Sequence, residues 1–418
     1  MTSSWNLGGI AAKIHPMASS VSHDACHKDP SSETSGRILY MLSSSVGVAM
    51  IGLGIVWPLV PVYARELGAT GFQLGAIISS FSLARTFFNP LIGRLSDRRG
   101  RRPIISIGLL AYAAVSVLYV HATGVGTLFL VRFLHGFSSV LVVPIAMALA
   151  ADIAPKDRVG LYMGTLNMAV MLGLGVGPML GGWIWASLGM QAAFLSMGGL
   201  TFLTFFGVRA FIPPDREMAA LRRDRTLVPF RTLLKDRVIR GLFLQRLVAA
   251  SGQGCVYSFL PLLGLGMNVS GSQVGVILGA NILVIAFLQR SFGALADRVN
   301  PLHQIVLGMF LSGMAILVMP LAGGYEGLLA LNVVMGLGTG IASPAGLALG
   351  ARIGRSVGMA SVMGLSEAGF SMGMIASPIF SGLIMDALGL PSIFLTGGGL
   401  ILLGTWPVFL YLRGYEER

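Results

Sequence analysis

The sequence predicts an all-α membrane protein: twelve spanning helices in two pseudo-symmetric bundles of six. Three observations predict it. Hydrophobic residues make up 54 % of the 418 residues and charged residues only 11 %, where a soluble domain carries about 25 % charged residues. Twelve mostly apolar runs can be read along the chain, each close to the roughly 20 residues that cross a bilayer. The second half also repeats glycine, proline and polar positions of the first at a constant offset of 200. This composition excludes an ordinary cytosolic enzyme, a disordered protein and a disulfide-stapled secreted module. Cys26 and Cys255 are too few and too far apart for a disulfide framework. The net charge of +12 points to positive-inside topology rather than nucleic-acid binding, since no basic folded soluble domain is visible.

The runs fall at 38–63, 72–93, 103–122, 126–151, 160–186 and 191–212, then at 241–265, 273–294, 302–323, 327–351, 358–385 and 391–412. They divide the chain into a polar, Ser-rich tail (1–37), a first six-helix bundle (38–212), a basic linker (213–240), a second bundle (241–412) and a short tail (413–418). The first tail lacks the apolar core of a signal peptide and reads as disordered. The linker mixes charges with apolar residues, the pattern of a short amphipathic surface helix. Orientation follows from the loops. Arg94, Arg98, Arg99, Arg101 and Arg102 follow the second run, and Arg216, Arg222, Arg223 and Arg225 follow the sixth. Lys156 and Arg158 follow the fourth, and Arg352 and Arg355 follow the tenth. Loops on the other side offer only Arg65. Both termini are therefore expected on the cytoplasmic face of a multi-pass membrane protein.

The repeat aligns Gln73 and Gly75 with Gln273 and Gly275, Gly93 and Asp97 with Gly293 and Asp297, and Gly136 and Pro144 with Gly336 and Pro344. It also aligns Gly173, Pro178 and Gly182 with Gly373, Pro378 and Gly382. Apolar segments align leucines by chance, but not glycine, proline and aspartate in one register. Two parallel six-helix repeats create an interface at mid-membrane, and rocking one half against the other exposes it to each side in turn.

The segment Gly93-Arg-Leu-Ser-Asp97-Arg98-Arg-Gly100-Arg101-Arg-Pro103 resembles the signature loop of the major facilitator superfamily. The resemblance implies a cytoplasmic gate of Gly93, Asp97, Arg98, Gly100 and Arg101, in which the acid helps to latch that side closed. Gly93 and Gly100 would permit a tight turn. The fifth run carries Gly164, Gly173, Gly177-Pro178 and Gly181-Gly182, similar to the fifth-helix motif of the superfamily's antiporters. Small residues at such spacing let a neighbouring helix pack closely. Gly54 with Pro58 and Pro61 resembles the first-helix pattern, and Asp152 to Arg158 resembles the fourth-to-fifth loop. Arg132 with His135-Gly136 resembles the fourth-helix motif, although the family usually has Gln where His135 stands. The first run also lacks the acid found there in many drug–proton exporters of the superfamily.

Polar residues inside spans are site candidates, because charge at mid-membrane is costly. Glu367 is the sharpest. Its counterpart in the first half is Asn167, and a buried carboxylate can take up and release a proton as its exposure changes. Arg132 and His135, three residues apart, are expected to face the same cavity and assist proton coupling. Arg246 and Arg290 lie near the ends of their runs and are expected to snorkel. Arg85, Asn89, Gln253, Tyr257, Asn281 and Gln289 are expected to line the substrate cavity. No Walker phosphate loop, catalytic triad or metal-ligand spacing is present, so neither an enzyme nor a cofactor is expected. These features imply a secondary transporter working by alternating access, a proton-coupled exporter of a small organic molecule. Its expected partners are that small-molecule or ion substrate and the lipid bilayer, with no nucleic acid, and the expected transport unit is a monomer. Two alternatives stand beside it: a metal-ion or metal-chelate transporter using His135, Glu367 and the tail's His23-x-x-Cys26-His27, and a non-transporting sensor or scaffold of the same fold.

Overall fold

The computed structural model describes residues 32–155, 158–212, 230–296 and 298–413. Among them are twelve long helical segments, joined by short turns. The first span is made of Ser32–Val56 and Leu59–Glu66, broken at Trp57-Pro58. The next five are Gly71–Arg99, Arg101–Val120, Val125–Ile153, Val159–Leu188 and Met190–Phe211. A short turn, Phe230–Leu233, precedes the second half. Its spans are Arg237–Gly266, Gly271–Ala296, Pro301–Val318 with a 3₁₀ turn, Tyr325–Val357, Met359–Leu388 and Leu390–Leu412. Eleven of these are long and apolar enough to cross a membrane. The second falls short because Arg85, Thr86 and Asn89 interrupt its centre and arginines crowd its end.

Several spans run past their expected ends, chiefly at the basic face. Charged residues that a hydropathy reading assigns to loops are here the last turns of helices. Residues 32–37, expected in the tail, are helical, and the seventh span begins at Arg237 rather than 241. The amphipathic helix expected in the linker and the His/Cys tail lie largely outside the described residues. Local chemistry explains the helix starts. Thr70 and Gln73 form a capping box on the second span, and Asp236 accepts from the Val238 and Ile239 amides of the seventh. Gly189 and Gly389, equivalent in the repeat, share the same φ of 86° at the fifth-to-sixth and eleventh-to-twelfth joins.

Each half uses the same helix contacts. In the first, span one packs on five and six, four on two and three, and three on six. In the second, span seven packs on eleven and twelve, ten on eight and nine, and nine on twelve. The halves meet along two equivalent seams, five against eight and two against eleven. We call the end with the arginine-rich loops the inner end. Trp57 and Tyr257, related by the 200-residue offset, touch each other with ring centroids 5.0 Å apart. Two symmetry mates can meet only on their common axis, so this pair marks the centre of the molecule.

Candidate functional site

At the outer end both seams are closed, backbone against backbone. A methyl group on Gly75 would lie 2.7 Å from the carbonyl carbon of Pro378, and one on Gly275 would lie 3.0 Å from that of Pro178. Gly71 abuts Gly382, and Gly271 abuts Gly182. These are the same contacts drawn twice. One addition is found in a single seam. Asp386, at the outer end of the eleventh span, accepts hydrogen bonds from the first two amides of the second span, Gly71 at 2.6 Å and Phe72 at 2.8 Å. A carboxylate there satisfies donors that a helix start leaves free and meets the positive end of its dipole. The counterpart of Asp386 is Ala186, and in that seam the Trp185 ring covers Gly271 instead.

The fifth-span glycines divide their work between two neighbours. Gly173, Gly177 and Gly181 seat the first span at Met50, Gly54 and Ile55, while Gly182 seats the eighth. Gly164 and Gly93, at the inner end, face open space. Gly93 does not turn the chain as expected. The helix continues to Arg99, and Gly100 alone breaks it, at a φ of 102°.

Between the halves toward the inner end there is a cavity of about 450 Å³. Its wall is apolar and rich in methionine, with Met147, Met163, Met363 and Leu347, and Glu367 projects into it. The Glu367 side chain keeps 54 % of its accessible surface. Its ion-pair partner is Arg246, at 3.8 Å. The Arg246 guanidinium also donates to Ser343 Oγ at 3.4 Å and lies 5.0 Å from the centre of the Phe370 ring. This corrects the expectation that Arg246 snorkels. It is mostly buried and turned inward, because a carboxylate stands opposite it on the eleventh span.

Arg132 and His135 do not face this cavity. Both are buried inside the first half, where Phe81, Tyr112 and Tyr119 present ring edges and faces to His135. Arg132 donates to Tyr119 Oη at 3.4 Å and to His135 Nδ1 at 3.3 Å, and Tyr119 Oη is 2.9 Å from the same nitrogen. A guanidinium only donates, so Nδ1 is the acceptor and the ring carries its hydrogen on Nε2. The Arg132 guanidinium lies 4.7 Å from the Phe81 ring centre. A mid-membrane arginine costs about 2.5–3.5 kcal/mol, and a cation–π contact returns about 0.5–2 kcal/mol of it. Among the described residues no carboxylate pairs with Arg132. His135 and Glu367 sit in opposite halves, so the set imagined for a metal is not assembled by them.

The expected cavity residues are scattered. Asn281 is fully buried, accepting from Tyr257 Oη at 2.9 Å and donating to the Asn332 carbonyl at 2.7 Å. It ties spans seven, eight and ten together and does not line a passage. Tyr257 is likewise buried, its hydroxyl held by Asn281. Gln253 borders a small internal pocket of the second half and contacts Thr339 at 3.5 Å. Gln289 accepts from Asn167 Nδ2 at 3.2 Å, across the five–eight seam. Arg85 and Asn89 remain. On the second span, Phe81 and Phe88 meet the fourth, and Gly71, Gly75 and Ser79 meet the eleventh. At about 100° per residue, Arg85 lies in the sector between those two faces and Asn89 at its edge toward the eleventh span, both away from the exposed Phe87 and Leu91. That sector looks toward the centre.

At the inner end Arg101 gathers part of the set expected to form the gate. It pairs with Asp97 at 2.8 Å and Asp152 at 3.0 Å and donates to Ser96 Oγ at 2.7 Å. Asp152, at the end of the fourth span, was not singled out for this role in the sequence. Arg98 is exposed and outside the network.

The Major Facilitator Superfamily profile matches residues 42–327 and again 242–418. The chain belongs to the Major Facilitator Superfamily. The two overlapping matches accord with the internal repeat. An uncharacterised transporter of the superfamily in Methanocaldococcus jannaschii is 29 % identical over 82 % of this chain and 90 % of its own. The quinolone resistance protein NorA of Staphylococcus aureus is 24 % identical over 83 % of this chain and 90 % of its own. Among solved structures, an inward-facing bacterial homologue of the human lysosomal transporter Spinster superposes with a TM-score of 0.78 at 15 % identity, covering 93 % of this chain and 99 % of that one. The chain is thus a multi-pass membrane transporter, and its relatives are transporters and not enzymes. Within the superfamily's frame, the loop from Gly93 to Pro103 supplies the Asp97–Arg101 pair, and the fifth-span motif supplies the glycines at both of that helix's close contacts.

Proposed function

We propose that this protein is a secondary active transporter that exports a small organic molecule by alternating access, driven by proton exchange at Glu367. Both termini would lie on the cytoplasmic face and one chain would form the transport unit. A single observation carries the reading. Glu367 is, among the described residues, the one carboxylate well away from a helix end, and it stands half-exposed in the inner cavity opposite Arg246. Closing the inner end would change the exposure of the Glu367–Arg246 pair, and in this reading Glu367 exchanges its proton with that change. The antiporter-type glycines and the likeness to a quinolone resistance protein support export of a small organic molecule. Arg132 and His135, enclosed in the first half, take no part in the step so drawn. In proteoliposomes, an imposed pH gradient should drive organic-substrate transport by the native protein. E367Q should transport at a rate indifferent to the gradient, and an unaltered gradient dependence in E367Q overturns the assignment.

A further inference from the structure

The spans carry more positive than negative charge at mid-depth. Glu367 and Arg246 offset each other, which leaves Arg85 and Arg132, with Arg290 exposed toward the inner end of its helix. These two guanidiniums share one aromatic ring: Arg132 lies 4.7 Å and Arg85 5.8 Å from the centre of Phe81. Neither has a carboxylate partner among the described residues. Arg132 is 3 % exposed, and its Nε has no hydrogen-bond partner. Arg85 is half-buried and lies in the sector of the second span that looks toward the centre. Two cations that no carboxylate answers are costly inside a membrane, and a negative visitor would lower that cost. Arg132 is fixed by Tyr119 and His135 and cannot move to meet it. Arg85 has no such tether.

We propose that the cargo of this transporter bears an acidic group, a carboxylate or comparable oxyanion, which Arg85 receives in the central passage while Arg132 supplies fixed positive charge behind the Phe81 ring. The guanidinium's planar fork suits bidentate pairing with an oxyanion. The inference rests on the reading that a small organic molecule passes between the halves, and it names the class of that molecule.

The test is binding to the purified full chain in detergent without any gradient. The probes are 1-naphthaleneacetate, its uncharged amide and 1-naphthalenemethylammonium, with decanoate and decanamide as an aliphatic pair. Each carboxylate should bind at least about tenfold tighter than its amide, and the ammonium should bind most weakly. In R85Q the carboxylate-to-amide ratio should fall toward one. In R85K, which keeps the charge and loses the fork, part of it should survive. In E367Q the ratio should stand. An ammonium bound as well as the acetate, amides matching both carboxylates, no binding of either carboxylate at millimolar concentration, or an undiminished ratio in a folded R85Q would each overturn the proposal. The native ratios decide the charge class even if R85Q fails to fold. Because binding is read without a gradient, failure of proton coupling at Glu367 leaves this result untouched, and the reverse also holds.

Discussion

Gly75→Ala should open the outer end of the transporter. The added methyl would sit 2.7 Å from the Pro378 carbonyl carbon, about 0.7 Å inside the 3.4 Å where ordinary contact begins, and closer still to the carbonyl oxygen. Those neighbours are backbone atoms of the eleventh span and cannot rotate away, so the two helices must separate. Overpacking of this kind costs about 1–3 kcal/mol. The cost falls only on the conformation in which the seam is closed. The equilibrium between outer-closed and outer-open forms should therefore move by roughly 5- to 150-fold. Gly275→Ala should act in the same direction through the equivalent seam, where the methyl meets the Pro178 carbonyl. Gly164→Ala is the control, since its methyl enters open space. Pulsed spin-label distances across the inner ends of spans two and eleven should shorten in the first two variants and stay unchanged in the third. Unchanged distances in Gly75→Ala, or an equal shift in Gly164→Ala, would refute the reasoning.

Other outcomes follow from the same geometry. Asp386→Asn leaves one acceptor where two amides need two and removes the charge that favours a helix start, which should loosen the outer seam by about 1 kcal/mol; faster labelling of a cysteine placed beneath that seam, from outside, is the readout. Asp152→Asn should weaken the Arg101 cluster and lower the rate of cycling more than the affinity for substrate, seen as a fall in maximal transport at constant half-saturation. Asn281→Leu strands the buried Tyr257 hydroxyl, at a cost of about 1–3 kcal/mol, removes the added bond to the Asn332 carbonyl, and should lower the melting midpoint of the purified protein more than Asn89→Leu does.

Much of this fold was legible from one dimension. Hydrophobic runs located every span, because lipid demands a helix of nearly fixed length. The 200-residue offset supplied the pairing of the halves, because duplicated glycines and prolines recur only where a backbone must be approached twice. The site was harder to read. Arg246 and Glu367 are on different helices, and nothing local in either run records which neighbour it faces. His135 looked like a cavity residue because three-residue spacing places it beside Arg132, but spacing fixes only a shared face, and that face turned out to meet Phe81 and Tyr119. Asp386 lies just past the end of its run, where nothing in the sequence marks it out. Its role as a cap on the second span depends on a helix more than 300 residues earlier in the chain. A signal was nonetheless present in the repeat: Trp57 and Tyr257 stand at matched positions, and matched aromatics are candidates for the axis itself.

That central pair has a further consequence. A contact between a residue and its own counterpart is the mark of an isologous interface, the kind that joins two identical subunits in a symmetric dimer. The molecule therefore has the build of a homodimer whose protomers have been spliced end to end. In a true homodimer every change is made twice, so an acid introduced on one seam would be answered by a second acid on the other. Splicing removes that constraint. Asn167 holds the five–eight seam with a neutral amide, while its twin position on the eleventh span carries Glu367. Asp386 likewise clasps one seam, and Ala186 leaves the other to a tryptophan ring. One side can keep the joint while the other carries the charge, a division of labour that two identical chains could not have reached.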